Sequence, residues 1–597
     1  MEILDKLTAL RKHMQEHGID LYLVPSIDEH NSEYVPHCWQ RRSFISGFDG
    51  SAGEVIVTQE HAYLWTDGRY FLQAQMQLND EHYTLVKQTG LSANIEEWLT
   101  LNHNNIRLGV DSRVIGIERA AKLKQVLSTQ GSKLVLLDTN LVDLSRQDLG
   151  EKLTLPVVYA FYLPIHYTGM TVEDKLAYLR GELTHHKADY ILFNVLDEIA
   201  WLFNMRGGDI DFNPLVISYA VVGKTTATLF VDGNKLSKEL ADILIAAKVQ
   251  VLPYQDFALS VKNIEGSVML DDRTASCWML SLLTNHQPVL TVRSPLSLAK
   301  AVKNKVEVSG SKAAHIYDAV AVINFLAWLD NHYVDGVDEI IAAEKLLEFR
   351  KKHATFKGES FATISGFADN GAIIHYHSSH ATNKVIDNSN IYLVDSGGQY
   401  LEGTTDITRT IHLGNPTKEQ KHHYTLVLKG HLALSRAKFP HGTCGEHLDA
   451  LARVHLWHEC LNYRHGTGHG VGSFLCVHEG PQRISPGISA IPLVPGMIVS
   501  NEPGFYLDGE YGIRIENLCL VTEIENSAVN GYGKFYGFEN LTLVPYCSKL
   551  IEFEILTEAE QQQIRDYYSQ IRQLVYPLLN LDVQVWLDKQ LHLSSSE

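Results

Sequence analysis

No stretch of this 597-residue chain approaches the roughly 18 to 20 apolar residues that a membrane-spanning helix needs, so no membrane partner is expected. The first residues, Met1 to Arg11, read as an amphipathic helix without the apolar core of a signal peptide, which predicts a soluble, unexported, cytoplasmic protein. Basic residues are in deficit. The 51 Lys and Arg stand against 70 Asp and Glu, and the resulting net charge of −19 opposes phosphate backbones, so nucleic acid is not an expected partner either. Cysteine is scarce, seven in all, with no Cys-x-x-Cys pair. Cys38, Cys277, Cys444, Cys460, Cys476, Cys519 and Cys547 therefore read as free thiols in a reducing compartment, not as a disulfide framework.

Length is in surplus for a single core, and three or four domains are the soft expectation. An internal echo sharpens it. Leu21 to Glu29 resembles Tyr190 to Glu198, each an apolar strand leading to an Asp-Glu pair, and Tyr63 to Gly68 resembles Thr228 to Gly233. A third pair, Leu108 to Arg113 and Met269 to Arg273, follows at nearly the same offset. This predicts two similar α/β domains, residues 1–155 and 156–299, and a third domain over residues 300–597. The charged segment Lys300 to Lys305 reads as its start, followed by helical patterning over Lys312 to Leu329, Asp338 to His353, Glu419 to Lys438 and Gly445 to Leu461. Strands interleave with these helices, so the third domain is expected to be α/β or α+β.

Five acidic and imidazole side chains in that domain carry the chemistry. Asp395 ends the apolar run Ile391 to Val394, and Asp406 follows a turn around Glu402 and Gly403, so two antiparallel strands would bring both aspartates together. His469 is flanked by Gly468 and Gly470, which let an imidazole approach a metal closely. Glu502 follows Ser500 and Asn501, and Glu516 lies two residues after Arg514, which places those two on one face of a strand, where side chains repeat every two residues. Four carboxylates and one imidazole form a hard, oxygen-rich donor set suited to Mn(II), Mg(II) or Co(II). Without cations the carboxylates would repel one another and take up protons instead. Fourteen of the 29 histidines fall between His375 and His478, so a histidine there carries weight only within a distinctive motif.

The motifs Val394-Asp395-Ser396-Gly397, Thr404-Thr405-Asp406, His465 to Gly472, Val477-His478-Glu479-Gly480, Asn501-Glu502-Pro503-Gly504 and Gly512 to Asn517 resemble the signature set of the Xaa-Pro aminopeptidases (aminopeptidase P). These are pita-bread metallopeptidases, and the chain length is similar to their long, three-domain cytosolic type. The resemblance runs over nearly the whole chain and is strongest from about residue 300 onward. It implies two creatinase-like N-terminal domains, a pita-bread catalytic domain, two divalent ions, most simply Mn(II), and a homodimer. It also implies that Asp395 binds one ion, Asp406 and Glu516 bridge the pair, and His469 and Glu502 complete the other. A metal-bridging hydroxide would attack the first peptide bond, with Glu502 as proton shuttle and His375 and His478 holding substrate and stabilising the oxyanion. His465, Tyr506 and Arg514 match the proline-side pocket. Arg69 matches a first-domain arginine that the family sends to the cleft, although an ordinary surface arginine reads equally well. Substrates would be peptides with proline in second position, whose missing amide N–H and fixed φ exclude them from peptidases that bind extended strands. A prolidase-type dipeptidase, a metal-free creatinase-like hydrolase and a non-catalytic pita-bread binding module are the alternatives.

Overall fold

The computed structural model describes residues 2–89, 94–283, 288–525 and 531–592. The chain forms two compact units, Met1–Pro164 with Met170–Ser297, and Ile165–Gly169 with Leu298–Glu597.

The first unit contains two six-stranded mixed sheets of the same topology. In one, the strand order is Tyr83–Lys87, Ala62–Thr66, Glu54–Thr58, Leu21–Val24, Arg107–Asp111, Lys133–Leu137. In the other it is Gln250–Leu252, Ala227–Phe230, Tyr219–Gly223, Tyr190–Phe193, Val268–Leu270, Val289–Thr291. In each sheet the central strand, Leu21–Val24 or Tyr190–Phe193, pairs antiparallel with one neighbour and parallel with the other. All three sequence echoes occupy equivalent strands, so the repetition in sequence is a repetition in space.

The second unit is built from antiparallel pairs and long capped helices. Helix Lys305–His332 starts seven residues earlier than the helical patterning suggests, because Asn304 accepts from Val306 and Glu307 N–H while the Glu307 carboxylate returns to Asn304 N. That reciprocal cap satisfies amides which a helix start otherwise leaves unpaired. Helix Lys418–Ser435 has the same device in Thr417 and Gln420. Its buried face, including Tyr424, Val427 and Leu428, joins a core with Ile391, Tyr392, Val394, Ile513 and Ile515. Each such side chain contributes about 1.5–3 kcal/mol by leaving water. This core fixes the backs of the strands whose opposite sides carry the acidic residues. Strand Ile391–Ser396 lies between Ile364–Phe367 and Ile407–His412, and is buried along its whole length.

Candidate metal centre

The antiparallel register sets Asp395 opposite Thr408, so Asp406, just before strand Ile407–His412, falls beside it. The expected strand pair therefore delivers both aspartates. His469 comes from the short strand Gly468–Gly470, and Glu502 follows strand Ile498–Asn501. Gly470 pairs with Val499 in the same sheet, and Glu502 N–H donates to Thr467 O at 2.8 Å. Glycine is required next to the histidine: a Cβ on Gly468 would lie 2.0 Å from Ser500 O.

Glu516 departs from expectation. The strand containing Arg514 ends at that residue and a new strand begins at Asn517, so Arg514 and Glu516 do not share one continuous strand face. They meet instead through Thr408, whose hydroxyl donates to Glu516 Oε2 at 2.8 Å and accepts from Arg514 Nε at 3.1 Å. Thr408 lies two residues beyond Asp406, on the same side of the chain by strand periodicity, and that spacing was the available signal for it. Ser500, two residues before Glu502, has the parallel part: its hydroxyl accepts from His469 N–H at 2.9 Å and donates to Glu502 Oε1 at 3.1 Å.

Asp406, His469 and Glu516 offer ligand atoms that all lie within 4.8 Å of one another. His469 Nε2 is 3.4 Å from Asp406 Oδ2 and 3.6 Å from Glu502 Oε1. Its Nδ1 is 2.9 Å from Gly470 O, a contact that puts the proton on Nδ1 and leaves Nε2 for an ion. Asp395 Oδ2 accepts from Arg514 Nη2 at 2.7 Å and Nε at 3.2 Å.

Three carboxylate oxygens, Asp395 Oδ1, Asp406 Oδ1 and Glu516 Oε1, are buried without a hydrogen-bond partner among the described residues. Such groups are costly to bury unless something positive satisfies them. The protonation pattern agrees. Burial pushes Asp395 up to about 6 despite Arg514, and Asp406 adds to the rise. Burial pushes Glu502 up to about 7, with His469 opposing and Asp406 adding. Glu516 is held well above the usual carboxylate range by burial and by Asp406, Glu502 and Asp395. For His469 burial favours the neutral ring, but Asp406 and Glu502 outweigh it and raise the group to about 9. Protons thus occupy a place that divalent cations fit: hard oxygens, one imidazole, unpaired lone pairs. Thiolates do not enter. Cys519 is buried, and burial followed by Glu516 pushes its thiol up to about 12.

The other expected residues fall in four places. His478 is half-buried with its ring edge-on to His469, centroids 4.4 Å apart. His465 Nε2 lies 2.9 Å from Tyr506 Oη, and Tyr506 Oη accepts from Arg514 Nη1 at 2.7 Å, so the three proline-side candidates form one chain ending on Asp395. His375 is half-buried, beyond the turn Ala368–Ala372. Arg69 lies in the first unit, where Asp67 engages its guanidinium through Nε at 2.9 Å and Nη2 at 2.8 Å.

The sequence model described as Metallopeptidase family M24 matches residues 309–523. That for the C-terminal region of peptidase M24 matches residues 534–592, and two for Creatinase/Prolidase N-terminal domains match residues 6–146 and 153–307. A probable Xaa-Pro aminopeptidase P of Pyrenophora teres f. teres is 43% identical, covering 98% of this chain and 92% of its own length. The protein of the same name in Neurospora crassa is 45% identical over 95% of this chain and 85% of its own. Among solved structures, X-prolyl aminopeptidase from Caenorhabditis elegans, described as a cytosolic enzyme with a di-nuclear active site, superposes with a TM-score of 0.94. It is 34% identical, and the match covers 99% of this chain and 100% of that one.

Proposed function

Because the chain belongs to the Xaa-Pro aminopeptidase P branch of metallopeptidase family M24, we propose that it removes the N-terminal residue from peptides with proline in second position, using two divalent ions held by Asp395, Asp406, His469, Glu502 and Glu516. The observation that carries this reading is the set of three buried, unpaired carboxylate oxygens around the His469 imidazole. Mn(II) is the ion of choice, because the donors are hard and mostly oxygen. Two divalent ions held by these residues would supply Lewis acidity for the scissile carbonyl and for activating the attacking water.

The side chains do the rest. Glu502, whose Oε1 lies 3.6 Å from His469 Nε2, would take the proton of the attacking water and pass it to the leaving proline nitrogen. His478, edge-on to His469, donates to the developing oxyanion, and His375 holds the substrate. The His465, Tyr506 and Arg514 chain forms the proline-side wall, Arg514 also neutralising part of the charge of Asp395. The enzyme works in the cytoplasm as a homodimer.

Hydrolysis of Arg-Pro-Pro and of Gly-Pro, each with and without chelator, tests the reading. Arginine is released from the tripeptide in a metal-dependent way. Preferential cleavage of Gly-Pro would make the protein a prolidase-type dipeptidase instead.

A further inference from the structure

The motif around His478 contains a second residue that the proposed chemistry leaves unused. Glu479 is buried, with its side chain 0% exposed, and two lysines converge on it. Lys303 Nζ lies 2.6 Å from Oε1 and Lys300 Nζ 3.1 Å from Oε2, their side chains 0% and 3% exposed. Two of the three lysines in the charged segment read as a domain start, Lys300 and Lys303, are therefore buried in the second unit. Lysine is rarely buried to this degree, and a buried ion pair adds little stability over a well-packed apolar group. Stability alone does not account for the triad.

Its position does. Glu479 opens strand Glu479–Ile484 and pairs with Gly470, one residue from His469. Gly472 N–H closes the intervening turn on Cys476 O at 2.9 Å, and a Cβ on Gly472 would stand 3.1 Å from Glu479 Oε2. On the other side, Lys303 N–H donates to Gly496 O at 2.9 Å, and Val302 bridges to Met497, just before the strand that leads to Glu502. The triad thus ties the segment bearing His478 to the segments bearing His469 and Glu502.

We propose that Lys300, Lys303 and Glu479 are positioning residues for His478, locking the residue after it so that the imidazole keeps its edge-on place against His469. The proposal rests on the role given to His478 above. Its test is a double-mutant cycle: Glu479→Gln and Lys303→Met, each in the unmodified and in the His478→Ala protein, with metal content, melting temperature, kcat and KM on Arg-Pro-Pro. Each change is expected to lower kcat about 10-fold or more at two ions per chain and near-normal KM, as loss of an orienting partner does. In the His478→Ala protein the same change should cost less than about 3-fold, because the effect passes through the missing ring. Equal losses in both backgrounds, or normal kcat in folded, metal-replete Glu479→Gln protein, would overturn it. Should Glu479→Gln not fold, Lys300→Met leaves a neutral Lys303 and Glu479 pair and undergoes the same comparison, where equal losses or a normal kcat again overturn the proposal. Normal kcat in His478→Ala itself removes the role of His478, and the proposal with it.

Discussion

Replacing Thr408 with valine keeps the shape of the side chain and deletes one hydroxyl at the centre of the site. That hydroxyl accepts from Arg514 Nε at 3.1 Å, so its single proton is committed to Glu516 Oε2 at 2.8 Å. In the metal-free protein burial and the acidic neighbours favour the neutral form of Glu516, and a bond between neutral groups is worth about 0.5–1.5 kcal/mol. With cations bound the carboxylate is ionised, and the same bond is worth about 1.5–3 kcal/mol. The difference, about 1–1.5 kcal/mol, is lost from ion binding and corresponds to roughly 5- to 12-fold weaker affinity. Chelator-buffered Mn(II) titration of the Thr408→Val protein, followed by metal analysis and melting temperature, measures it. An affinity within about 2-fold of the parent protein would refute the reasoning, since a twofold change is under about 0.5 kcal/mol.

His478→Ala should retain both ions and most of its substrate affinity while kcat falls about 10²- to 10³-fold, the usual cost of one oxyanion donor. A lowered melting temperature with unchanged kcat would instead make this a structural histidine. Buried His431, between Asn501 O and Tyr546 Oη, each 3.1 Å away, is pushed down to about 3 by burial and then by Arg409. Its folded value lies below its unfolded value of about 6.5, so its stabilisation is present above that pH and is lost as pH falls toward 3, by up to about 1.4 kcal/mol per unit. His431→Gln should flatten the pH dependence of urea unfolding between about pH 6.5 and 4.5, and an unchanged slope would contradict the assignment.

Much of the site was legible because polar residues interrupt otherwise apolar strands or sit between glycines. Asp395 closes a run that is buried on both sides, and a side chain so placed needs a chemical reason. The duplicated N-terminal domains were legible for a similar reason, since three echoed strands hold equivalent places in two sheets. What escaped depends on tertiary neighbours. Lys300 and Lys303 look like surface charge until Glu479, far along the chain, is folded onto them. The start of helix Lys305–His332 was misplaced because its cap, Asn304 with Glu307, lies among those same charges. Alternation along one strand likewise does not show that the chain breaks at Ile515, so the meeting of Arg514 and Glu516 through Thr408 needed the structure. Thr408 and Ser500, by contrast, were within reach of strand periodicity, each two residues from a carboxylate.

Under the proposed function, two ions shared through Asp406 and Glu516 make this chain a proline-specific exopeptidase. The direct test is a titration of chelated protein with Mn(II), with bound metal and arginine release from Arg-Pro-Pro recorded on the same samples, beside the Asp406→Ala protein. Activity should saturate at two ions per chain, and the Asp406→Ala protein should hold neither ion and release no arginine. Near-normal activity and two ions per chain in Asp406→Ala, or full activity of the unmodified protein without metal, would contradict it.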